Sequence, residues 1–498
     1  MTALTLPIPD SETLARRGRI VVDLKAMLPP EAVVDSRALM APFETDGLTV
    51  YRQQPLVVVL PETTVQVAQI LKYCAENAIR VVPRGAGTGL SGGALPLADA
   101  VLLVMSRFNR IMEIDLENLC VVAQPGVTNL AITQAVQDDG FYYAPDPSSQ
   151  IACSIGGNVA ENSGGVHCLK YGLTTNNVLG VELVLMSGEV VRLGGKYPGA
   201  AGYDLLGIVT GSEGLLGVIT EVTVRIIPKA SAIGALLIAF ASIEDAGACV
   251  AEIISSGIVP AGMEMMDALT IRAAEDFIHA GYPLDAAALL IVELDGTEAD
   301  VTELLGRVSE IAEKNRAASI RVAADEAERL RFWAGRKAAF PAVGRISPDY
   351  ICMDGTIPRR KLPYVLARIE ELSKAYGLAC GNVFHAGDGN LHPLILFDAA
   401  KDGDVEKAEK FGADILKLCV SVGGVLTGEH GVGIEKRDLM PEMFSETDLL
   451  QQQQLKCAFD PQSLLNPGKV FPTLHRCAEG GVMRVSGGKL PFEHLPRF

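Results

Sequence analysis

The sequence of 498 residues predicts an α+β protein made of at least two separately packed units. Three observations support this fold class. Short apolar strands alternate with amphipathic helices in both halves of the chain, glycine-rich loops are concentrated between residues 84 and 217, and a second strand–helix rhythm begins near residue 231. Because a single hydrophobic core rarely grows beyond about 250–300 residues, a chain of this length is expected to divide.

The first half begins with a predicted helical lead-in over residues 1–50, followed by a unit over residues 51–229. Apolar runs bounded by turn residues predict the strands, and apolar positions three or four apart predict the helices. Thr63 or Thr64 is a suitable N-cap for the first of these helices. The predicted strands are 55–61, 80–84, 100–106, 111–114, 120–123 and 218–227, the helices are 63–77 and 128–139, and 178–193 is a hairpin turned at Ser187-Gly188.

The second half is predicted to form another α+β unit over residues 230–425. A segment over residues 426–472 follows, and a glycine-rich tail over residues 473–498 ends the chain. Strands are predicted at 235–240, 289–296, 353–358 and just before His385, and helices at 243–255, 299–316, 360–376, 404–422 and 446–459.

Composition narrows the class of protein. The net charge of −17 argues against nucleic acid as a partner, since phosphate backbones attract basic surfaces. No run reaches the roughly 18 apolar residues of a membrane-spanning helix, and the N-terminus lacks the apolar centre of a signal peptide. We therefore expect a cytoplasmic protein without direct membrane insertion. A positive mean hydropathy of +0.26 is explained if a subunit interface, such as that of a homodimer, is buried.

A loop of five glycines in nine residues, 85–93, follows the strand at 80–84. It contains Gly87-x-Gly89-x-x-Gly92, which formally matches the dinucleotide fingerprint. That fingerprint has to open a helix, whereas Ala94-Leu-Pro-Leu and a strand follow here, so a Rossmann NAD site is disfavoured. Successive exposed amides form anion-binding nests, which suit a diphosphate. The alternative is a flexible surface loop, although tight turns rarely need so many glycines.

Two further stretches of small residues lie downstream in the same unit. Residues 145–165 contain Pro145-Asp-Pro-Ser148-Ser149 and Ile155-Gly-Gly157, and residues 211–220 contain Gly211-Ser-Glu213-Gly214. We read both stretches as loops. Three such loops in one unit favour a long ligand held at several points over a single phosphate.

The second half concentrates three of the seven histidines, in His385-Ala-Gly-Asp-Gly-Asn-Leu-His392 and in Glu429-His430. Two imidazoles and a carboxylate are ligands that a catalytic divalent metal uses when one position stays open for substrate. A turn at Asp388-Gly389 can aim both rings at one point, and Glu429 would be the third ligand. The spacing is not a standard zinc signature, so the alternative of loop histidines bonded to Asp388 and Asn390 stays open.

Taken together, these motifs resemble one known family. Pro83-RGAGTGLSGGA, Gln124-PGV, Pro145-DPSS, 155–165 and 211–220 resemble the FAD-binding domain of the vanillyl-alcohol oxidase and p-cresol methylhydroxylase (PCMH) superfamily. The histidine motifs and Asn466-PGK resemble its D-2-hydroxy acid dehydrogenase branch. The motif order over residues 40–472 is similar to that of FAD-containing subunits of bacterial glycolate oxidases. The resemblance implies a two-subdomain PCMH-type FAD-binding domain, a ferredoxin-like α+β substrate (cap) domain, and a C-terminal segment that returns to complete the FAD and catalytic site.

The resemblance also implies where FAD binds. The diphosphate is expected over the glycine loop, the flavin beside the second stretch, the adenine beside the third, and the C-terminal motif at the flavin. No histidine lies in residues 84–94, so FAD should be non-covalent. The implied FAD residues are Pro83, Arg84, Gly85, Ala86, Gly87, Thr88, Gly89, Gly92, Pro145, Asp146, Ser148, Ser149, Ile155, Gly156, Gly157, Asn158, Asn162, Gly165, Glu213, Gly214, Ile219, Asn466 and Lys469.

The implied chemistry divides between a metal and two catalytic residues. His385, His392 and Glu429 would hold a divalent ion, Zn or Mn, that binds the substrate's oxygens. His430 would take the hydroxyl proton as general base while a hydride passes to the flavin. Arg336 would pair with the substrate carboxylate, the alternative being an ordinary surface helix with several arginines. Asp388 and Asn390 are candidates for orienting the histidines.

Two departures from the 2-hydroxyglutarate enzymes bear on the substrate. Those enzymes have an asparagine where this chain has Leu394, and a lysine where it has Cys352. Without these polar groups a small 2-hydroxy acid, glycolate or D-lactate, fits better. A D-lactate or other D-2-hydroxy acid dehydrogenase acting alone, a non-catalytic FAD-binding subunit and an oxidase using O₂ stay as alternatives. No iron–sulfur cysteine run is present, so electrons would pass to O₂, a quinone, or FAD-binding and iron–sulfur partner subunits that could hold the protein at the inner membrane.

Overall fold

A computed structural model describes residues 6–472 except 198, 200 and 201. The predicted tail over 473–498 lies outside the described residues. The described chain forms three main sheets, two in the first half and one in the second. None of its helices is both long and apolar enough to cross a membrane.

The first sheet has four strands in the spatial order Val33–Val34, Val57–Val59, Ala100–Val104, Arg80–Arg84. The last three run parallel, and helix Thr64–Glu76 makes the crossover that parallel strands need. Thr63 caps this helix, its side chain accepting a hydrogen bond from the Gln66 amide at 3.3 Å.

The lead-in completes this first sheet. Its helices are Ser11–Ala15, Arg17–Met27 and Arg37–Met40. The second helix buries Ile20, Val21 and Leu24 in the core beneath the sheet. Between the helices, Val33–Val34 pairs antiparallel with Val57–Val59. The lead-in therefore contributes an edge strand as well as helices.

The second sheet is antiparallel, with five strands in the order Ile111–Asp115, Cys120–Ala123, Val218–Arg225, Val178–Val184, Val190–Gly194. The last two strands are the predicted hairpin. Helices and a small two-stranded sheet cover its core: helices Asn129–Val136, Ile155–Glu161, Cys168–Tyr171, Thr174–Asn177 and Leu205–Val209, and strands Phe141–Tyr142 and Ile227–Pro228.

One loop expectation in this region is wrong. Ile155–Glu161 is a helix, although its glycines were taken as loop residues. Ser154 caps it by accepting a hydrogen bond from the Gly157 amide at 3.3 Å. Gly156 is needed for packing, because a Cβ there would lie 2.4 Å from the Pro125 side chain. The glycines therefore permit close approach between helix and chain, and a loop is not required to explain them.

The third sheet has seven antiparallel strands. Their order is Ala317–Val322, Ala232–Phe240, Ala288–Gly296, Gly262–Asp267, Cys380–His385, Pro393–Phe397, Asp349–Cys352. One face packs on helices Ile243–Ser255, Glu298–Lys314, Leu362–Tyr376 and Asp404–Ser421, and the other on helices Ala268–Ile278 and Glu326–Val343. Successive side chains of the strand Ala232–Phe240 alternate between the two cores, as the period of a strand dictates.

After helices Met440–Met443 and Glu446–Phe459 the chain returns to the first sheet. The Val81 amide donates to the Leu464 carbonyl at 2.9 Å, and the Asn466 amide donates to the Val81 carbonyl at 2.7 Å. The return of the C-terminal segment to the first unit is thus seen in the backbone.

Candidate active site

His385 and His392 stand at the two ends of one tight turn. His385 ends strand Cys380–His385, and His392 directly precedes strand Pro393–Phe397. The turn is closed by the His385 amide, which donates to the Asn390 carbonyl at 3.1 Å. Gly389 has φ +85°, and a Cβ there would lie 2.2 Å from the Ile357 carbonyl oxygen, so only glycine fits. The two imidazole rings meet edge to face, with centroids 5.0 Å apart and planes inclined by 84°.

Glu429 lies within reach of three imidazoles. Its Oε1 is 3.0 Å from Nε2 of His392, 3.4 Å from Nε2 of His385 and 3.8 Å from Nε2 of His430. Burial would raise the pKa of the Glu429 carboxyl, but hydrogen bonds with His385 and His392 hold it well below its usual range. Donor atoms of His385, His392 and Glu429 lie within 4.8 Å of one another. Two imidazoles and an anionic carboxylate in this arrangement fit a divalent cation.

The group that orients His385 is Glu264, which the sequence analysis did not identify. Nδ1 of His385 lies 2.6 Å from Oε1 of Glu264, and Nε of Arg336 donates to Oε2 at 2.8 Å. Glu264 is fully buried. The Glu264 charge raises the pKa of His385 well above its ordinary value, against the opposing effect of burial. The expected orienting residues Asp388 and Asn390 do not bond to the imidazole rings; Asp388 instead accepts from the Asn390 amide at 3.1 Å.

Arg336 is not on a surface helix. It is 3% exposed, and its Nε and Nη2 atoms both bond to Glu264. Its guanidinium lies 5.9 Å from the ring centroid of Phe340, which lines the cavity described below. Arg336 and His385 are thus tied to the same carboxylate.

The loop that carries Glu429 and His430 is organised by a buried aspartate. Asp354 accepts hydrogen bonds from the amides of Gly428 at 3.0 Å, Glu429 at 3.2 Å and His430 at 2.8 Å. It is fully buried, and Lys436 lies 3.5 Å away. Removing this carboxylate would leave the Glu429 and His430 amides unpaired, while the Gly428 amide would keep its bond to the Asp354 backbone carbonyl at 2.9 Å, so the Asp354 side chain fixes the path of the loop.

His430 stacks on His392 with ring centroids 5.1 Å apart and planes inclined by 2°. Burial lowers the pKa of His430 to about 4, although the Asp354 charge acts in the opposite direction. The imidazole is therefore neutral at physiological pH and able to accept a proton. Its Nδ1 is buried and has no hydrogen-bond partner in the described structure.

A cavity of about 270 Å³ joins the histidine cluster to the glycine loop. Its lining comes both from residues 85–90 with Ser148, Ser149, Gly157 and Asn158, and from Phe340, Tyr350, His392, Glu429 and His430. A smaller cavity of about 80 Å³ is lined by other predicted cofactor residues, Pro83, Arg84, Gly85, Gly156, Gly157, Glu213, Gly214 and Ile219. The structure therefore places most of the predicted FAD residues around two cavities.

The remaining predicted FAD residues line neither cavity, and several of them bond to other protein groups. Asp146 accepts from the His167 ring at 2.9 Å, and the Pro145 carbonyl accepts from Asn129 at 3.0 Å. Lys469 donates to the Leu95 carbonyl at 2.8 Å. Gly92, Ile155, Asn162, Gly165 and Asn466 likewise line neither cavity.

Glu213 joins the third small-residue stretch to the catalytic loop. Its carboxylate accepts hydrogen bonds from the amides of Val432 at 2.6 Å and Gly433 at 2.7 Å. Its backbone has φ +52°, in the left-handed region that non-glycine residues rarely adopt. The predicted adenine-side loop and the loop of His430 are therefore held together by these two hydrogen bonds.

Glu161 is a second residue that the sequence analysis missed. It lines both cavities, and its Oε2 is buried without a partner in the described structure. Burial and the neighbouring Glu213 raise the pKa of its carboxyl well above the usual range. A protonated carboxyl at this position can donate a hydrogen bond to a ligand. Its only sequence signal was its place in the small-residue stretch.

A cavity lined by both a glycine-rich loop and a cluster of buried titratable groups suits an enzyme that binds an extended cofactor beside its reacting residues. The FAD binding domain model matches residues 55–194, and the model of the C-terminal domain of FAD linked oxidases matches residues 229–470. The chain belongs to the FAD-linked oxidase family and is an FAD-dependent oxidoreductase.

Close relatives have specific names. The chain is 57% identical to the glycolate oxidase subunit GlcD of Escherichia coli K12, over 97% of each chain, and 38% identical to the GlcD of Bacillus subtilis, over 89% of this chain and 94% of that one. It is 32% identical to a D-lactate dehydrogenase of Anaerostipes hadrus, over 89% of this chain and 95% of that one.

Solved structures support the fold. p-Cresol methylhydroxylase aligns with a TM-score of 0.79 at 18% identity, over 93% of this chain and 97% of that one. The 4-ethylphenol oxidase of Gulosibacter chungangensis aligns with a TM-score of 0.80 at 18% identity, over 95% of this chain and all of that one. These comparisons confirm the family resemblance and the PCMH-type fold predicted from the sequence.

Proposed function

We propose that this protein oxidises glycolate, or a similarly small 2-hydroxy acid such as D-lactate, to the 2-oxo acid. The observation that carries the proposal is the 270 Å³ cavity, which is lined both by the glycine loop and by His392, Glu429 and His430. Bound FAD supplies the hydride acceptor. The name of the 57% identical relative favours glycolate, and the D-lactate dehydrogenases favour the second candidate.

The proposed role of His430 is to remove the hydroxyl proton. Because its pKa is lowered to about 4, the ring is in the accepting form at neutral pH. Arg336 would attract the substrate carboxylate through Nη1, since Glu264 takes Nε and Nη2. Arg336 does not itself line the cavity, whereas Phe340, whose ring centroid is 5.9 Å from the guanidinium, does. The proposed contact of Arg336 with the substrate is therefore less direct than that of His430.

His385, His392 and Glu429 would hold the divalent ion, Zn or Mn. Their donor atoms lie within 4.8 Å, and the side chain of Glu264 behind His385 is the carboxylate partner that metal-binding histidines commonly have. When bound, the ion would supply Lewis acidity toward the substrate's oxygens.

The substrate's small size is supported by two buried residues. Leu394 is 0% exposed and Cys352 5%, and neither can pair with a second carboxylate. A dicarboxylic substrate would have to bury an unpaired charge, which costs several kcal/mol, so we expect 2-hydroxyglutarate to be a poor substrate.

Electron transfer through partner subunits is part of the proposal. Two relatives, at 57% and 38% identity, are named as subunits of a glycolate oxidase. We propose FAD-binding and iron–sulfur partners, a cytoplasmic location at the inner membrane through those partners, and a homodimer as the alternative assembly.

Anaerobic flavin bleaching tests the activity. The purified yellow protein is mixed with glycolate, D-lactate, L-lactate or D-2-hydroxyglutarate, and flavin absorbance is followed. Glycolate should bleach the flavin fastest, and His430→Ala should retain flavin yet bleach at least about 100-fold more slowly. Faster bleaching by D-2-hydroxyglutarate than by glycolate would contradict the proposal of a small substrate. An unchanged bleaching rate in His430→Ala would show that His430 is not the base.

A further inference from the structure

Cys352, His392 and His430 form a second group of possible ligands beside the first. A donor atom from each lies within 4.8 Å of the other two. Cys352 ends strand Asp349–Cys352, which pairs with the strand that follows His392, so the sheet itself holds thiol and imidazole together. Cys352 and His392 are 5% and 2% exposed.

The hydrogen bonding of His392 is incomplete. A metal-binding histidine usually donates its other ring N–H to a carboxylate or carbonyl, as His385 does to Glu264. His392 directs Nε2 at Glu429, but its Nδ1 is buried and has no partner in the described structure. Nδ1 of His430, in the ring stacked on His392, is in the same condition. Buried polar atoms without partners are uncommon and call for an explanation.

We propose that Cys352, His392 and His430 bind the soft divalent cation Cd²⁺, and that this binding inhibits the enzyme. The cation would displace the thiol proton to solvent and take one nitrogen from each ring. Thiolate with two imidazoles selects thiophilic ions, whereas Mg²⁺ and Mn²⁺ prefer oxygen ligands.

The inhibition has a direct cause in the positions of these residues. A cation on His430 removes the proposed base, and one on His392 competes with the first metal group. The inhibition clause therefore rests on the proposed function, whereas binding of the cation does not. The two can be tested separately.

The binding test uses Cd²⁺ added to the FAD-loaded protein while the ultraviolet cadmium–thiolate charge-transfer band is recorded. We expect a saturable band in the wild type and in the control Cys380→Ser, a partly buried thiol outside the group. Cys352→Ser should lose the band and bind Cd²⁺ at least about 100-fold more weakly, since changes even behind a metal ligand cost about 10–100-fold. Flavin absorbance reports that each variant is folded.

Two results would overturn the proposal: no thiolate band in the wild type, or a band of wild-type affinity in Cys352→Ser. If Cys352→Ser fails to bind flavin, the binding site is tested instead by adding Co²⁺ to the wild-type protein. Cobalt bound by Cys352, His392 and His430 must show thiolate charge-transfer and tetrahedral d–d absorption bands, and their absence would overturn the proposal. Cd²⁺ should also inhibit glycolate-driven bleaching in the wild type, with Cys352→Ser resistant. A thiolate band without inhibition would refute the inhibition and leave the binding site.

Discussion

Glu264→Gln tests how much of the site depends on one buried carboxylate. The substitution keeps the size of the side chain and removes its charge, leaving Arg336 and His385 buried beside a neutral amide. Removing one partner of a buried ion pair costs about 3–5 kcal/mol. At about 2–4 °C per kcal/mol for a domain of 150–250 residues, the melting temperature of the substrate domain should fall by roughly 6–20 °C.

The stability difference between wild type and Glu264→Gln should depend on pH in a definite direction. Burial opposes ionisation of Glu264, but the charges of His385 and Arg336 lower the pKa of its carboxyl below its ordinary value. A lowered folded pKa contributes stability above the unfolded pKa, and that contribution is lost as the pH falls through the folded value. The difference between wild type and Glu264→Gln should therefore be full at pH 7 and shrink in acid.

The assay combines thermal melting of the FAD-loaded protein with metal analysis and bleaching rates. Metal content or activity should fall by about 10–100-fold, because Glu264 orients His385. The matched control is Glu303→Gln, since Glu303 is an exposed glutamate on helix Glu298–Lys314. This substitution should leave the melting temperature, the metal content and the bleaching rate unchanged. A melting temperature within about 2 °C of wild type at pH 7, less than 1 kcal/mol, would refute the reasoning.

Two further predictions concern the metal and the cavity. His385→Ala should lose the divalent ion from purified protein while keeping FAD, measured by elemental analysis and flavin absorbance; equal metal in both proteins would return these histidines to a structural role. Glu161→Gln should keep FAD, and its stability relative to wild type should increase as the pH rises above about 4.5. Burial raises the pKa of the Glu161 carboxyl in the folded protein, so the wild type loses stability as the pH rises from the unfolded pKa towards the folded pKa. Parallel stability curves for the two proteins would contradict a raised pKa at Glu161.

The residues of the site that could be predicted from the sequence belong to an uncommon residue type, histidine. Histidines are few, so His385, His392 and His430 drew attention, and the structure brings them together around Glu429. Their roles as ligands and base stay predictions. Periodicity likewise predicted helices such as Ile243–Ser255 and Glu446–Phe459 with the bounds seen in the structure.

The residues that escaped prediction act through partners distant in sequence. Glu264 lies on an apolar strand and looks like a single surface charge until Arg336 and His385, 72 and 121 residues away, are placed beside it. Asp354 falls within the predicted strand 353–358, but the strand ends at Cys352, and Asp354 instead holds the loop of His430 through backbone amides more than 70 residues away. The helix Ile155–Glu161 was missed because local propensity penalises glycine, whereas packing against Pro125 requires it.

The hydrogen bonds of Glu213 also set an order of assembly. Its carboxylate is satisfied by the amides of Val432 and Gly433, which are 219 and 220 residues further along the chain. During synthesis, the wall that Glu213 contributes stays incomplete until nearly the whole chain has left the ribosome. We therefore expect cofactor loading to follow synthesis of most of the chain, because a chain truncated before residue 432 lacks the amides that hold this wall in place.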